Sequence, residues 1–343
     1  MSLVTKVTSI MENAIKNSIP TRNMKRGRNN QNPNQITIDK SIKRKQILRG
    51  MLRNKYLYIM TFPGIIFFLV FRYIPMGGLI IAFQNYQPFL GIDGSPWVGT
   101  AHFRRLFMEG SFTMLMRNTL MLFFLGTLTF PLPIILALSL NEVKNKWFKS
   151  IVQTIVYIPH FMSWVIVVSM FFIILSVDRG LINEVISFFG GDRIHFMTNP
   201  AWARTIYIIQ DTWKGIGWSS IIFLAAITNV DTTLYEAAQM DGANRWRQTW
   251  HVTLPAIRPT IVTLLILRVG NTLDIGFEHV FLITNAMNRH VLDIFDTFVF
   301  RMGIHNGQFS FATAVGLFRG VVGLILVIGA NKLAKWFGED GIY

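Results

Sequence analysis

Four side chains in one apolar stretch, Tyr207, Asp211, Lys214 and Trp218, follow one another at intervals of four, three and four residues. On an α-helix that spacing puts them on a single face. An acid and a base between two aromatic rings suit a sugar: a ring stacks on its C–H face while polar groups take its hydroxyls. Asp211 and Lys214 are also expected to pair. Further along, Arg268, Asn271, Asp274 and Glu278, at intervals of three, three and four, make a second polar stripe. Each charge at bilayer depth costs about 2.5–3.5 kcal/mol, so such groups face a wet cavity or a partner. Two readings stay open for every member: the lining of a translocation path, or an internal salt-bridge and hydrogen-bond network that only holds helices together. Arg319, near mid-membrane, needs a partner, whereas Arg72 can snorkel to the outer interface.

The elements that must position these residues are membrane helices. Of the 343 residues 51% are hydrophobic and only 15% charged, with a mean hydropathy of +0.40. That is too apolar for an ordinary soluble domain. Six stretches, near 56–83, 113–140, 149–176, 203–229, 260–283 and 311–335, reach the roughly 20 residues that a helix needs to cross a bilayer. Pro75 and the Gly77–Gly78 pair predict a bend or local unwinding in the first. Pro131, Pro133 and Pro159 predict kinks.

The net charge of +15 is concentrated at one end. Residues 1–55 hold 13 Lys and Arg against Glu12 and Asp39, which leaves only +4 for the rest. A basic arm leading into an apolar span marks a cytoplasmic flank rather than a nucleic-acid surface. Beyond it, Lys144, Lys146, Lys149, Lys332 and Lys335 fall in or beside loops on the same side, and the loops near 84–112, 177–202 and 284–310 carry no lysine. Both termini are therefore predicted to be cytoplasmic. Residues 2–18 have the apolar spacing of a surface helix, and residues 20–35 read as a tether. The division expected is an arm over 1–55, a first span with an outer segment over 56–112, a core over 113–335 and a short tail over 336–343.

Between the fourth and fifth spans, in the loop 229–259, helix formers from Leu234 to Met240 lead into the turn signal Asp241-Gly242. A second helical stretch is expected to end near Leu254-Pro255. Glycine at the corner permits a positive φ and close approach of the two helices. The sequence Glu236-Ala237-Ala238, with Gly242 four positions on and Leu254-Pro255 closing the loop, resembles the EAA signature of permease subunits of bacterial ABC importers. Val252 stands where isoleucine is more usual. The segments 71–92, 211–231 and 271–285 are similar to carbohydrate-uptake permeases of the oligo- and polysaccharide branch, maltose-like and alginate-like.

The resemblance implies an all-α integral membrane protein with the type I ABC importer permease fold. It implies that Glu236, Ala237, Ala238, Asp241, Gly242, Arg245, Leu254 and Pro255 form a coupling helix that docks on a separate ATPase. It also aligns Lys214, Gly215 and Trp218 with a sugar-contacting stretch. The partners implied are a second, different permease, two ATPase subunits, an extracytoplasmic solute-binding protein and an oligosaccharide, in a bacterial plasma membrane and without nucleic acid. No cofactor is implied on this chain, with ATP and Mg²⁺ carried by the ATPase.

Absent motifs narrow the chemistry. There is no cysteine, no G-x-x-x-x-G-K-[ST], no H-E-x-x-H and no G-x-S-x-G, and the seven histidines lack metal-ligand spacing. Thiol catalysis and a P-loop are excluded, and a membrane protease or lipase has no support. Two rivals remain: a permease of this architecture for another solute, and an ion-coupled secondary transporter suggested by Asp211, Asp274 and Glu278.

Overall fold

A computed structural model describes residues 53–336 except 271 and 274. The expected surface helix over 2–18, the tether, the tail over 337–343 and the candidate residues Asn271 and Asp274 lie outside the described residues. The chain divides into two compact units between Leu79 and Ile80. The first contains α1 (Lys55–Phe68), which is apolar all round and buries nothing, as suits a lipid-facing span. A π-helical turn, Leu69–Tyr73, follows, and then the short Ile74–Met76 and a 3₁₀ run, Gly77–Phe83. Pro75 has no N–H for the carbonyl of Phe71, and the wider turn ahead of it absorbs the missing bond. This is the unwinding expected near Pro75.

Among the described residues of the second unit the regular structure is helical, apart from isolated bridges at Gln84–Trp97 and Gln87–Gly91. In chain order it contains α2 (Ala101–Met108), α3 (Ser111–Leu128), α4 (Pro131–Glu142), α5 (Lys146–Tyr157), α6 (Trp164–Ile174), α7 (Leu181–Phe188), α8 (Pro200–Thr228) and α9 (Thr232–Met240). After Arg245–Gln248 and the π turn Thr249–Thr253 come α10 (Leu254–Gly270), α11 (Phe277–Ile283), α12 (Arg289–Leu292), α13 (Phe295–Phe300) and α14 (Phe309–Trp336). Among the described residues four runs are long and apolar enough to cross a membrane: Lys55–Phe83, Ser111–Glu142, Arg245–Gly270 and Phe309–Gly329. The bent pair Lys146–Phe161 and Trp164–Ile174 makes a possible fifth. α8, with 29 residues, has the length, but Arg204, Gln210, Asp211 and Lys214 dilute its hydropathy.

Three expectations need correction. The stretch 149–176 is not one straight span but turns by 105° between α5 and α6, where Pro159 sits in a 3₁₀ turn and Ser163 caps the next helix through Ile166 N–H. The second helix of the 229–259 loop does not stop at Leu254-Pro255. A π turn at Thr249–Thr253 accommodates Pro255, and the helix continues unbroken to Gly270. The stretch 260–283 is instead interrupted between Gly270 and Phe277, where Gly276 takes φ 89°. Arg268 and Glu278 therefore belong to different helices and do not share the continuous face that their spacing suggested.

Packing converges on α8. It runs along α4 over a core of Ile134, Ala137, Phe223, Ile227 and Ile257. It also meets α5 so closely that a Cβ at Gly217 would stand 2.2 Å from the carbonyl oxygen of Val156. Only glycine fits that crossing. A second core, with Leu106, Leu115, Phe295, Phe298, Phe311 and Val315, joins α2, α3, α13 and α14.

Candidate functional site

The polar stripe of α8 meets the α5–α6 break and α11, and the partners differ from those expected. Lys214 does not pair with Asp211. Its Nζ donates to the carbonyls of His160 at 2.7 Å and Met162 at 2.6 Å, and lies 5.3 Å from the centroid of the Trp164 ring. Those carbonyls belong to the last turn and the C-cap of the 3₁₀ segment Ile158–Phe161, and a cation is the natural cap for them. Asp211 lies instead within electrostatic reach of Arg268. Arg268 reaches back to α3, donating to the carbonyl of Gly126 at 2.6 Å. Arg319 has the partners that its depth required: Asp296 at 2.6 Å and the carbonyl of Leu273.

The aromatic residues form two stacks. Trp218 lies parallel to His160 with centroids 4.3 Å apart, and it remains 46% exposed. His279 is sandwiched between Trp164 at 3.8 Å and Tyr207 at 4.4 Å, and its Nε2 bonds Gln210 Oε1 at 2.7 Å. Tyr207 is 4% exposed and donates its hydroxyl to the carbonyl of Ile275, so it supports the wall from behind. Gly215 has open space where a Cβ would be, and Glu278 is exposed at the start of α11. Sequence spacing could not reveal His160, Trp164 or His279, because each meets the stripe from another segment, whereas Gln210, three residues after Tyr207 and four before Lys214, lies on the same face of α8 and was missed. The only local signals were Pro159 beside His160 and the Gly-Ile-Gly run at 215–217.

The hairpin of α9 and the following helix is built differently. Asp231 accepts from Thr233 N–H and opens α9, while Asn244 accepts from Arg247 N–H and opens the second arm. The Thr233 amide, and then its hydroxyl, hold the Asp231 carboxylate below its usual range. Gly242, at φ 74°, donates to Gln239 and Ala243 donates to Ala238, the paired bonds of a Schellman C-cap. The expected positive φ is present, but nothing lies within 4 Å of a Cβ there, so close approach is not the reason for this glycine. Tyr235 and Thr253 hydroxyls meet at 2.9 Å across the hairpin, and Arg245 bonds Glu142 at the end of α4 at 2.8 Å. Glu236, Ala237 and Asp241 are exposed, Ala238 partly so, and no residue of α9 is buried. Leu254 packs beside the α4–α8 core. Leu234, Met240, Trp246 and Trp250 all present apolar surface to the outside.

The exposed hairpin and the apolar helices around it lie within a stretch that matches a known family. Residues 129–338 match the family model of the binding-protein-dependent transport system inner membrane component. The chain belongs to this family. As a permease subunit it has a transport role rather than a catalytic one. The polygalacturonan/rhamnogalacturonan transport system permease protein YteP of Bacillus subtilis is 61% identical over 89% of this chain and 96% of its own length. Protein LplB of the same organism is 51% identical over 86% and 93%. Among solved structures, a bacterial ABC transporter involved in the import of the acidic polysaccharide alginate aligns at a TM-score of 0.79 and 42% identity, over 84% of this chain and 98% of that one. The alginate transporter with an alginate pentasaccharide-bound periplasmic protein aligns at 0.78 and 40%, over 86% and 99%.

Proposed function

We propose that this permease takes up an oligosaccharide or polysaccharide fragment, delivered by an extracytoplasmic binding protein and driven by a separate ATPase. The observation that carries the energy-coupling half is the hairpin of α9. It is exposed, capped at both helix starts and locked at Gly242, so a push on it moves the end of α4 and the whole of α10. ATP and Mg²⁺ would sit on the partner, and a second permease would complete the path. We infer six spans, with α8 as the one whose polar face lines the route, and both termini in the cytoplasm of a bacterial cell. The names of the relatives and the acidic substrate of the alginate transporter support a uronate-containing saccharide.

The substrate side rests on Trp218, whose half-open ring lies beside Lys214 and Gly215, with Asp211 and Arg268 across the same face. In this reading Asn271, Asp274 and Glu278 also belong to the substrate path. Uptake of labelled oligogalacturonate into proteoliposomes that hold the full complex tests the proposal. It should require internal ATP and the binding protein. Uptake that persists without ATP under a proton gradient would favour an ion-coupled transporter instead, and uptake of an unrelated solute alone would remove the saccharide.

A further inference from the structure

A cavity with charged residues in its wall lies apart from the α8 stripe, between α11, α12 and the turn that follows α13. Its volume is about 320 Å³ and it is lined by Phe281, Arg289, Asp293, Arg301, His305 and Asn306. That volume is near the lower end for small-ligand pockets and suits one sugar ring rather than an oligomer.

Its charges are unequally satisfied. The Asp293 carboxylate is fully buried and saturated: Arg301 donates to both of its oxygens, at 3.1 and 2.5 Å, and the Thr297 hydroxyl donates at 2.7 Å. Arg289 is exposed, and its guanidinium makes no hydrogen bond or ion pair among the described residues. The cavity therefore has one uncompensated cation. Beside it, Phe281 is 43% exposed, with its other contacts to Phe277 and Phe300 at 5.3 and 5.2 Å. His305 stands edge-on to Phe300, and Asn306 is exposed at the rim.

The wall is fixed from behind. Asn118 of α3 is fully buried and donates to the carbonyls of His290 and Asp293, and Arg204 of α8 donates to Asn118 and to the carbonyl of Val291. A preformed hollow with an aromatic floor and one free guanidinium is the arrangement that recognises a sugar carrying a carboxylate.

We propose that this cavity is a subsite for a single uronate residue, with Arg289 taking the carboxylate and Phe281 the sugar face. This rests on the saccharide reading above and on the outer location of the 284–310 loop. An acidic side chain of a docking protein is the competing occupant. It would fill only a small part of the volume and would leave the ring floor unused.

Binding of trigalacturonate and of neutral galactotriose to the full transporter in nanodiscs, without binding protein, tests it. The expected result is a preference of at least about tenfold for the charged sugar, lost in Arg289→Gln, partly restored in Arg289→Lys and weakened in Phe281→Ala. Equal affinity for both sugars, or an Arg289→Gln variant that binds as the parent does, overturns it. So does an Arg289→Gln effect confined to binding of the sugar-free binding protein, which would assign the surface to protein docking. If the transporter imports oligosaccharides normally while any of these negative results is obtained, the subsite fails and the transport reading stands. If no saccharide is imported at all, the transport reading itself fails.

Discussion

The hairpin of α9 and the polar face of α8 are opposites in construction. In the hairpin most defining bonds are local: Asp231 to Thr233, Asn244 to Arg247, Gly242 to Gln239, and Tyr235 to Thr253 across the fold. On α8 the defining contacts join distant segments: Lys214 to the α5–α6 bend, Tyr207 and Gln210 to α11, and Arg204 to α3 and α12. A locally closed element can move as a rigid piece. A face assembled from several helices changes shape when those helices move. An importer that couples ATP to a change of access needs one of each kind.

Substitutions can break or sharpen this contrast. The largest effect is expected from Gly217→Leu, because the added carbon meets backbone, the Val156 carbonyl, rather than a side chain that can turn away. Destabilisation should exceed the roughly 1–3 kcal/mol of ordinary overpacking, and the full complex should not be recovered after purification. Gly215→Ala, with open space at that position, should assemble normally.

Lys214→Met removes a cation that satisfies two carbonyls at the bend, a loss of about 1.5–3 kcal/mol. Transport should fall at least tenfold while the complex still hydrolyses ATP. Unchanged uptake would mean that the bend does not need its cap. Gly242→Val forces a β-branched residue into positive φ at a cost of about 1–2 kcal/mol. Its expected signature differs in substrate binding, which is retained while transport is uncoupled from hydrolysis. If Gly242→Val transports normally, the hairpin does not transmit the stroke.

Tyr235→Phe deletes one hydrogen bond across the hairpin, worth about 0.5–1.5 kcal/mol, and should raise amide exchange in α9 with little change in uptake. Smallest is a pH effect at Asp231. Its carboxylate is more acidic in the folded hairpin than in the unfolded chain. It therefore stabilises α9 above the unfolded value, and that contribution is lost as pH falls through the lower, folded one. Amide exchange at Thr233 measured between neutral and acid pH should show this in the parent and not in Asp231→Asn.

The helix and the Gly242 corner of the hairpin were legible in the sequence because their signals are short-range, although the caps Asp231 and Asn244 emerged only from the structure. Asp and Asn at helix starts and Gly at a helix end act on atoms a few bonds away. The point at which this reading failed is instructive. Pro255 looks like a stop, yet a π turn let the helix run on to Gly270, since tertiary support outweighed one missing N–H. The α8 stripe was legible as a face but not as a site. Its periodicity placed Tyr207, Asp211, Lys214 and Trp218 together, whereas the identity of their partners depended on which other segments folded against that face. The Arg268–Glu278 stripe failed for a further reason: periodicity presumes an unbroken helix, and Gly276 with its positive φ lies inside the interval.

By itself the sequence determined that this is a helical, membrane-spanning protein with a basic arm and a loop that resembles the permease signature. Hydropathy, capping and turn chemistry are properties of neighbouring residues, and neighbours are what a sequence records. Only the tertiary structure decided that Lys214 caps a bend instead of meeting Asp211, that His279 lies between two rings, and that Arg289 is left uncompensated beside Phe281. Those outcomes depend on which surfaces meet across tens or hundreds of residues, where competition among all available partners selects the pairing.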